Sequence, residues 1–254
     1  MRVLVCGSRP GAKIYDAEYG FFVNGAISKA HLGKFKKIYQ VVAKNAFIKA
    51  SKSTKDYDVV WRSQVVLKNV SHIDHILFVG KGDFENFSSV YNDFGGQLDG
   101  LSFEDVQPES RNEKVKKVCS IDIPVGFFVS LKLLARFHFL PFYESLRYFF
   151  SGIANNDDCP GLFRPSNGVY ALVEAIDRFG ADFEYYLVGV GIHFYDYQYD
   201  VDGVAYKRKK ALRPHLLADI AILQKLSKYN VFVDDVFVSD LCGLKLIKDD
   251  SDED

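Results

Sequence analysis

Short apolar runs ending in turn residues recur along the chain, and between them apolar positions fall at helical spacing. Residues 3–6, 21–23, 75–79, 185–190 and 231–233 read as buried strands. Val169, Leu172, Val173, Ile176 and Phe179 form a helical stripe that Gly180 is placed to close. Leu216, Ile220, Leu223 and Leu226 form a second stripe, with Pro214 suited to the first helical position. Residues 107–117 (QPESRNEKVKK) read as a surface loop or an exposed helix start. Strands alternating with helices predict an α/β fold with a mostly parallel sheet covered on both faces. Ligands of such folds bind beyond the carboxyl ends of the strands.

Length permits one large core, and residues 1–247 are expected to form a single domain followed by a disordered acidic tail over 248–254. Residues 126–153 are the most apolar stretch, but Lys132, Arg136, His138, Glu144 and Arg147 interrupt it. It reads as two amphipathic helices broken at Pro141, packing as core or lid, with peripheral membrane contact as the alternative. No signal peptide is expected. The four cysteines, Cys6, Cys119, Cys159 and Cys242, lack zinc spacing, and a reducing, intracellular compartment is the expected setting. A net charge of −1 argues against nucleic acid as a partner held by bulk charge.

Gly7-Ser8-Arg9-Pro10-Gly11 follows the first strand, where small residues let backbone amides approach a phosphate or simply make the turn. It is neither the dinucleotide fingerprint nor a P-loop. Asn24 ends the second strand, either as a ligand-binding amide or as a turn before Gly25. Ser166 and Asn167 are natural caps at a helix start whose amides and dipole welcome an anion, and Arg164 adds a charge. Tyr195, Tyr197, Tyr199 and Tyr206 cluster beyond the strand over 185–190, as phosphate donors or as an aromatic hairpin. His215, in the first turn of its predicted helix, should be kept neutral by the dipole and so suit a general base, unless it is a plain surface residue. Asp200-x-Asp202 matches the metal-holding pair of metal-dependent transferases, but Gly203 makes it a hairpin turn signal.

Taken in order, GSRPGAK (7–13), Asn24, RPSNGVY (164–170), GIHFY (191–195) and His215 with its helix resemble the bacterial sialyltransferases of glycosyltransferase family 42. The resemblance runs from near the N-terminus to about Asp240, and RPSNGVY with GIHFY carries most of it. It implies a Rossmann-like sheet of the sialyltransferase type (a GT-A variant) with a small helical or aromatic lid, expected within residues 192–213. It further implies an inverting, metal-independent transfer of a sialic acid-like sugar from a CMP donor to a glycan or glycolipid hydroxyl, as in lipopolysaccharide or capsule biosynthesis. No cofactor is expected. The enzyme would work in the cytoplasm or at the inner face of the membrane, alone or as an oligomer. By position His215 resembles the catalytic base, Tyr195 and Tyr206 the tyrosines that stabilise the departing phosphate, and Arg164 an active-site arginine. Gly7, Ser8 and Asn24 resemble the nucleotide-binding elements, and Ser166, Asn167 and Gly168 the loop that contacts the donor carboxylate. Ser8 stands where the family has asparagine, and Gly80, before Lys81, stands where a donor-binding asparagine should follow the third strand. Transferases of CMP-Kdo share the chemistry and form the alternative. A metal-dependent transferase using another nucleotide sugar is a further one.

Overall fold

A computed structural model describes residues 1–44, 57–80, 96, 98, 100–123, 164–192, 198–201, 204–207 and 215–248. Eight parallel strands form one sheet. They are β1 (Arg2–Cys6), β2 (Tyr19–Val23), β3 (Lys37–Ala43), β4 (His75–Val79), β5 (Ser102–Val106), β6 (Glu184–Val188), β9 (Asn230–Val233) and β10 (Lys245–Leu246). Strands β7 (Gln198–Val201) and β8 (Val204–Lys207) form a separate antiparallel pair. The helices are α1 (Tyr57–Lys68), α2 (Pro108–Cys119), α3 (Asn167–Phe179), α4 (Leu216–Leu226) and α5 (Val236–Cys242), with a 3₁₀ segment over Asn24–Leu32. This is the mostly parallel, Rossmann-like α/β arrangement that the sequence pattern predicts.

Strand order is β10-β9-β6-β1-β2-β3-β4-β5. The chain therefore steps outward from β1 to β5, returns to the other flank of β1 as β6, and steps outward again. Crossovers of one hand must use one sheet face for the first run and the opposite face for the second. The cores divide accordingly. Leu4, Cys6, Phe22, Val42, Ile76 and Phe78 pack beneath the 3₁₀ segment and α1. Val3, Val5, Phe21, Val41, Leu77 and Val106 pack with α2, α3, α4 and α5. Reversal between β1 and β6 makes a topological switch point, and the crevice outside it is where such sheets hold ligands.

The stripe of α3 is buried as predicted, at Val169, Leu172, Val173 and Ile176. Gly180 closes the helix at φ 83°, its amide donating to the Ile176 carbonyl (2.8 Å). Residues 108–117 fall within α2, which begins at Pro108 with Gln107 as the capping residue before it. Helix α4 starts at Leu216, so His215 occupies the capping position before the first turn rather than a place within it. Pro214 lies outside the described residues. Strand β6 ends at Val188, two residues earlier than the apolar run, because Gly189 turns out of it at φ 63°.

The largest correction concerns the third strand. His75–Val79 is the fourth strand in the chain, and Lys37–Ala43 precedes it and pairs directly with β2. The residue that follows the third strand is thus Lys44, not Gly80. Gly80 lies three strands from β1, roughly 14 Å away at ordinary strand spacing. Among the described residues no helix is long and apolar enough to cross a membrane. Residues 126–153 and the tail over 249–254 lie outside the described residues, as does most of the expected lid over 192–213.

Candidate active site at the strand ends

Three backbones converge at the switch point. The Gly7 amide donates to the Val188 carbonyl (2.8 Å) and the Arg9 amide to the Gly189 carbonyl (3.2 Å), tying the turn after β1 to the turn after β6. A Cβ on Gly7 would stand 2.3 Å from the Gly189 oxygen, so only glycine permits that approach. One on Gly168 would stand 2.8 Å from Val190 Cγ2, which sets the first turn of α3 directly on the turn after β6. Gly7 and Gly168 are therefore explained by packing. The backbone they bring together borders the crevice.

Helix α3 opens as its sequence dictates. Ser166 is the cap, its Oγ accepting from the Val169 amide (3.3 Å). Asn167 is the first helical residue rather than a cap. The Ser166 amide donates to Asp219 Oδ1 on α4 (2.8 Å), which joins the starts of the two helices. First-turn amides have no partner within a helix. Those of Asn167 and Gly168 have none among the described residues and are left for an anion.

His215 lies against this helix start, its Nδ1 3.1 Å from the Arg164 carbonyl. A carbonyl only accepts, so Nδ1 carries the proton. In the neutral ring Nε2 is then the basic nitrogen. Arg164 Nε is buried without a hydrogen-bond partner among the described residues.

On the other sheet face stand residues from β1, β2 and β3. Ser8 is buried. Asn24, one strand over, adopts φ 53°, and its Oδ1 is buried without a partner among the described residues. Gln40, fully buried on β3, donates through Nε2 to the Asn24 carbonyl (3.0 Å). Lys44 is also buried and forms an ion pair with Asp105 of β5. Sequence reasoning missed Gln40 and Lys44 because it missed β3. The signal was the run IYQVVA, a β-rich stretch interrupted only by Gln40.

Asp234, just past β9, completes the ring of residues. Its Oδ2 accepts from the Gly189 amide (2.8 Å), whereas Oδ1 is buried and unpartnered among the described residues. Burial pushes its carboxyl above the usual range, although the Gly189 amide and Arg9 pull the other way. Asp235 caps α5 through the Phe237 and Val238 amides and pairs with Arg9, whose carbonyl accepts from Lys29 Nζ (3.1 Å). Burial pushes the Cys6 thiol up to about 12, so it stays protonated and is no nucleophile.

The structure sets Arg164, Ser166, Asn167, Gly168 and His215 together at the start of α3, packed on the turn after β6 beside Gly7, while Ser8 and Asn24 follow β1 and β2 at the same end of the sheet. Tyr195 lies outside the described residues. Tyr206 sits on β8, opposite Tyr199, in a hairpin whose first strand approaches the 3₁₀ segment. Val201 pairs with Val204 in antiparallel register, and Asp202 and Gly203 between them lie outside the described residues. Comparison with protein-family models, with curated proteins and with solved structures found no match.

Proposed function

We propose that the chain is an inverting, metal-independent glycosyltransferase that moves a sialic acid-like sugar from a CMP donor to a glycan hydroxyl. The observation that carries this reading is the His215 ring held by the Arg164 carbonyl beside the open amides of α3. A base nitrogen and an anion-binding helix start then share one crevice, which is what transfer from an anionic donor to a neutral hydroxyl requires.

In the proposed reaction His215 Nε2 takes the proton of the acceptor hydroxyl as its oxygen attacks the anomeric carbon. The bond from that carbon to the CMP phosphate breaks on the opposite side, and the electron pair leaves on the phosphate oxygen. Asn167 and Gly168 amides and Arg164 are suited to the sugar carboxylate or the phosphate. Tyr195 and Tyr206 are proposed to donate to the leaving phosphate. The buried acceptors Asn24 Oδ1 and Asp234 Oδ1 flank this anion-binding centre on β2 and β9, on the order of 14 Å apart across three strand spacings. Acceptors at both ends and an anion site between them suit a ligand with hydroxyl- or amine-bearing ends and a charged middle, as a nucleotide sugar has.

His215→Ala tests the reading. Loss of a general base should lower transfer by about 10²–10⁴-fold. Binding of CMP, measured by calorimetry, should stay near wild type, because the ring caps no amide of α4. Transfer that survives the substitution excludes His215 as the base. A thermal-shift screen of CMP-sialic acid, CMP-Kdo, CMP, UDP and GDP identifies the donor, since at equal concentration L the ligand of lower Kd stabilises more, by RT ln(1 + L/Kd). Stabilisation by UDP or GDP but not CMP, together with loss of activity in EDTA, would establish the metal-dependent alternative.

A further inference from the structure

Asp234 is a carboxylate at the strand ends whose geometry is half explained. Its Oδ2 has a structural task, holding the Gly189 amide and with it the turn after β6 that supports the turn after β1. Its Oδ1 has none: the atom is buried without a hydrogen-bond partner among the described residues. A buried carboxylate oxygen left unpaired is costly, and folded proteins keep such atoms where a ligand or water completes them. Arg9, whose charge also acts on Asp234, is hydrogen-bonded to the neighbouring Asp235.

We propose that Asp234 is a ligand-binding residue whose Oδ1 accepts a hydrogen bond from a donor group of the nucleoside, a ribose hydroxyl or the exocyclic amine of the base. The assignment rests on the nucleotide reading above and adds to it a residue on β9, the strand flanking β6 on the side away from β1. A carboxylate accepts only, so this end of the crevice selects a hydroxyl or amine and rejects a second phosphate. It thereby fixes which way round a nucleotide lies: nucleoside towards β9, phosphate towards the start of α3.

Asp234→Asn separates the two tasks. The amide oxygen can still accept from Gly189, while the amide nitrogen then presents a donor where the ligand also presents one. The variant should melt at or above the wild-type temperature, since a buried charge is removed, yet bind CMP roughly ten- to a hundredfold more weakly. Asp234→Ala, which frees Gly189, should melt lower. Calorimetry on the full chain with CMP, UMP and 2′-deoxy-CMP identifies the donor. If it is the amine, wild type binds UMP more weakly than CMP, and Asp234→Asn, whose amide nitrogen then faces the uracil carbonyl, binds UMP more tightly than wild type does. Wild type that binds 2′-deoxy-CMP as weakly as Asp234→Asn binds CMP, with no further loss on substitution, assigns the 2′-hydroxyl. Equal weakening of all three by the substitution assigns the 3′-hydroxyl they share. Asp234→Asn that binds CMP within twofold of wild type overturns this assignment alone. So does equal weakening of inorganic pyrophosphate, which has no nucleoside. A wild-type protein that binds none of the three nucleotides overturns the nucleotide reading, and this assignment with it.

Discussion

Asn24 occupies the left-handed region at φ 53°, which asparagine tolerates better than other non-glycine residues but gains nothing from in a plain turn. Its carbonyl is fixed by Gln40 from the neighbouring strand, and its side-chain oxygen is unpaired among the described residues. A conformation held from one side with a bare acceptor on the other is the pattern of a residue positioned for a ligand. Asn24→Gly keeps the backbone geometry and removes the amide, so stability should change by under about 1 kcal/mol. Affinity for the CMP-sugar donor should fall. Asn24→Ala keeps neither the amide nor easy access to this φ and should cost about 1–2 kcal/mol as well. Thermal melts with calorimetric titration of the CMP-sugar separate the two effects. Unchanged CMP-sugar affinity in Asn24→Gly would return Asn24 to a turn residue.

At the scale of elements, what was legible in the sequence depended on how pure each pattern was. Helix α3 has an unbroken stripe, a serine cap and a closing glycine, and the sequence therefore specifies both of its ends. Strand β3 was hidden because Gln40 interrupts its apolar run for a reason that is tertiary, its bond to Asn24. Strand β5, SFEDV, was hidden because its polar residues face partners from distant segments, Asp105 meeting Lys44 and Glu104 meeting Lys114 and Arg178. Such pairings have no local signature. The candidate site was more readable than the sheet, since RPSNGVY and His215 are local signals. Asp234, whose meaning comes from contact with Gly189 in another strand's turn, was not. The contact of α3 with the turn after β6 gives a test at this scale. Gly168→Ala should destabilise by about 1–3 kcal/mol through its clash with Val190. Val190→Ala in the same chain should restore much of the loss. Failure of that rescue, read from chemical denaturation midpoints, would mean that the start of α3 is not seated on Val190.

Across the whole molecule, the candidate site and a charged network lie at opposite ends of α3. Arg178 lies twelve residues along α3 from Ser166, about 18 Å at helical rise. There it joins a charged network linking α3, α2 and β5. Glu174, fully buried, accepts from Lys114 (2.8 Å), Tyr170 (2.8 Å) and Arg178 (2.5 Å). Glu104 accepts from Lys114 (3.0 Å) and Arg178 (2.5 Å), and His75 Nε2 stands 3.9 Å away, beyond hydrogen-bond range. His75, then Lys114 and Arg178, hold the Glu104 carboxyl well below the usual carboxylate range. A carboxylate whose folded value is lowered stabilises the fold fully above its unfolded value, near 4.3, and that contribution is lost as pH falls below it. Wild type should therefore lose melting temperature steeply below about pH 4. Glu104→Gln should start lower at pH 7, fall less steeply, and approach wild type in acid, because a neutral amide has no charge to lose. Its CMP affinity at pH 7 should match wild type, the network being a full helix length from the crevice. Parallel acid slopes would remove Glu104 from the network's stabilising role. A fall in CMP affinity would show that the two ends of α3 are coupled, contrary to the division of labour drawn from their geometry.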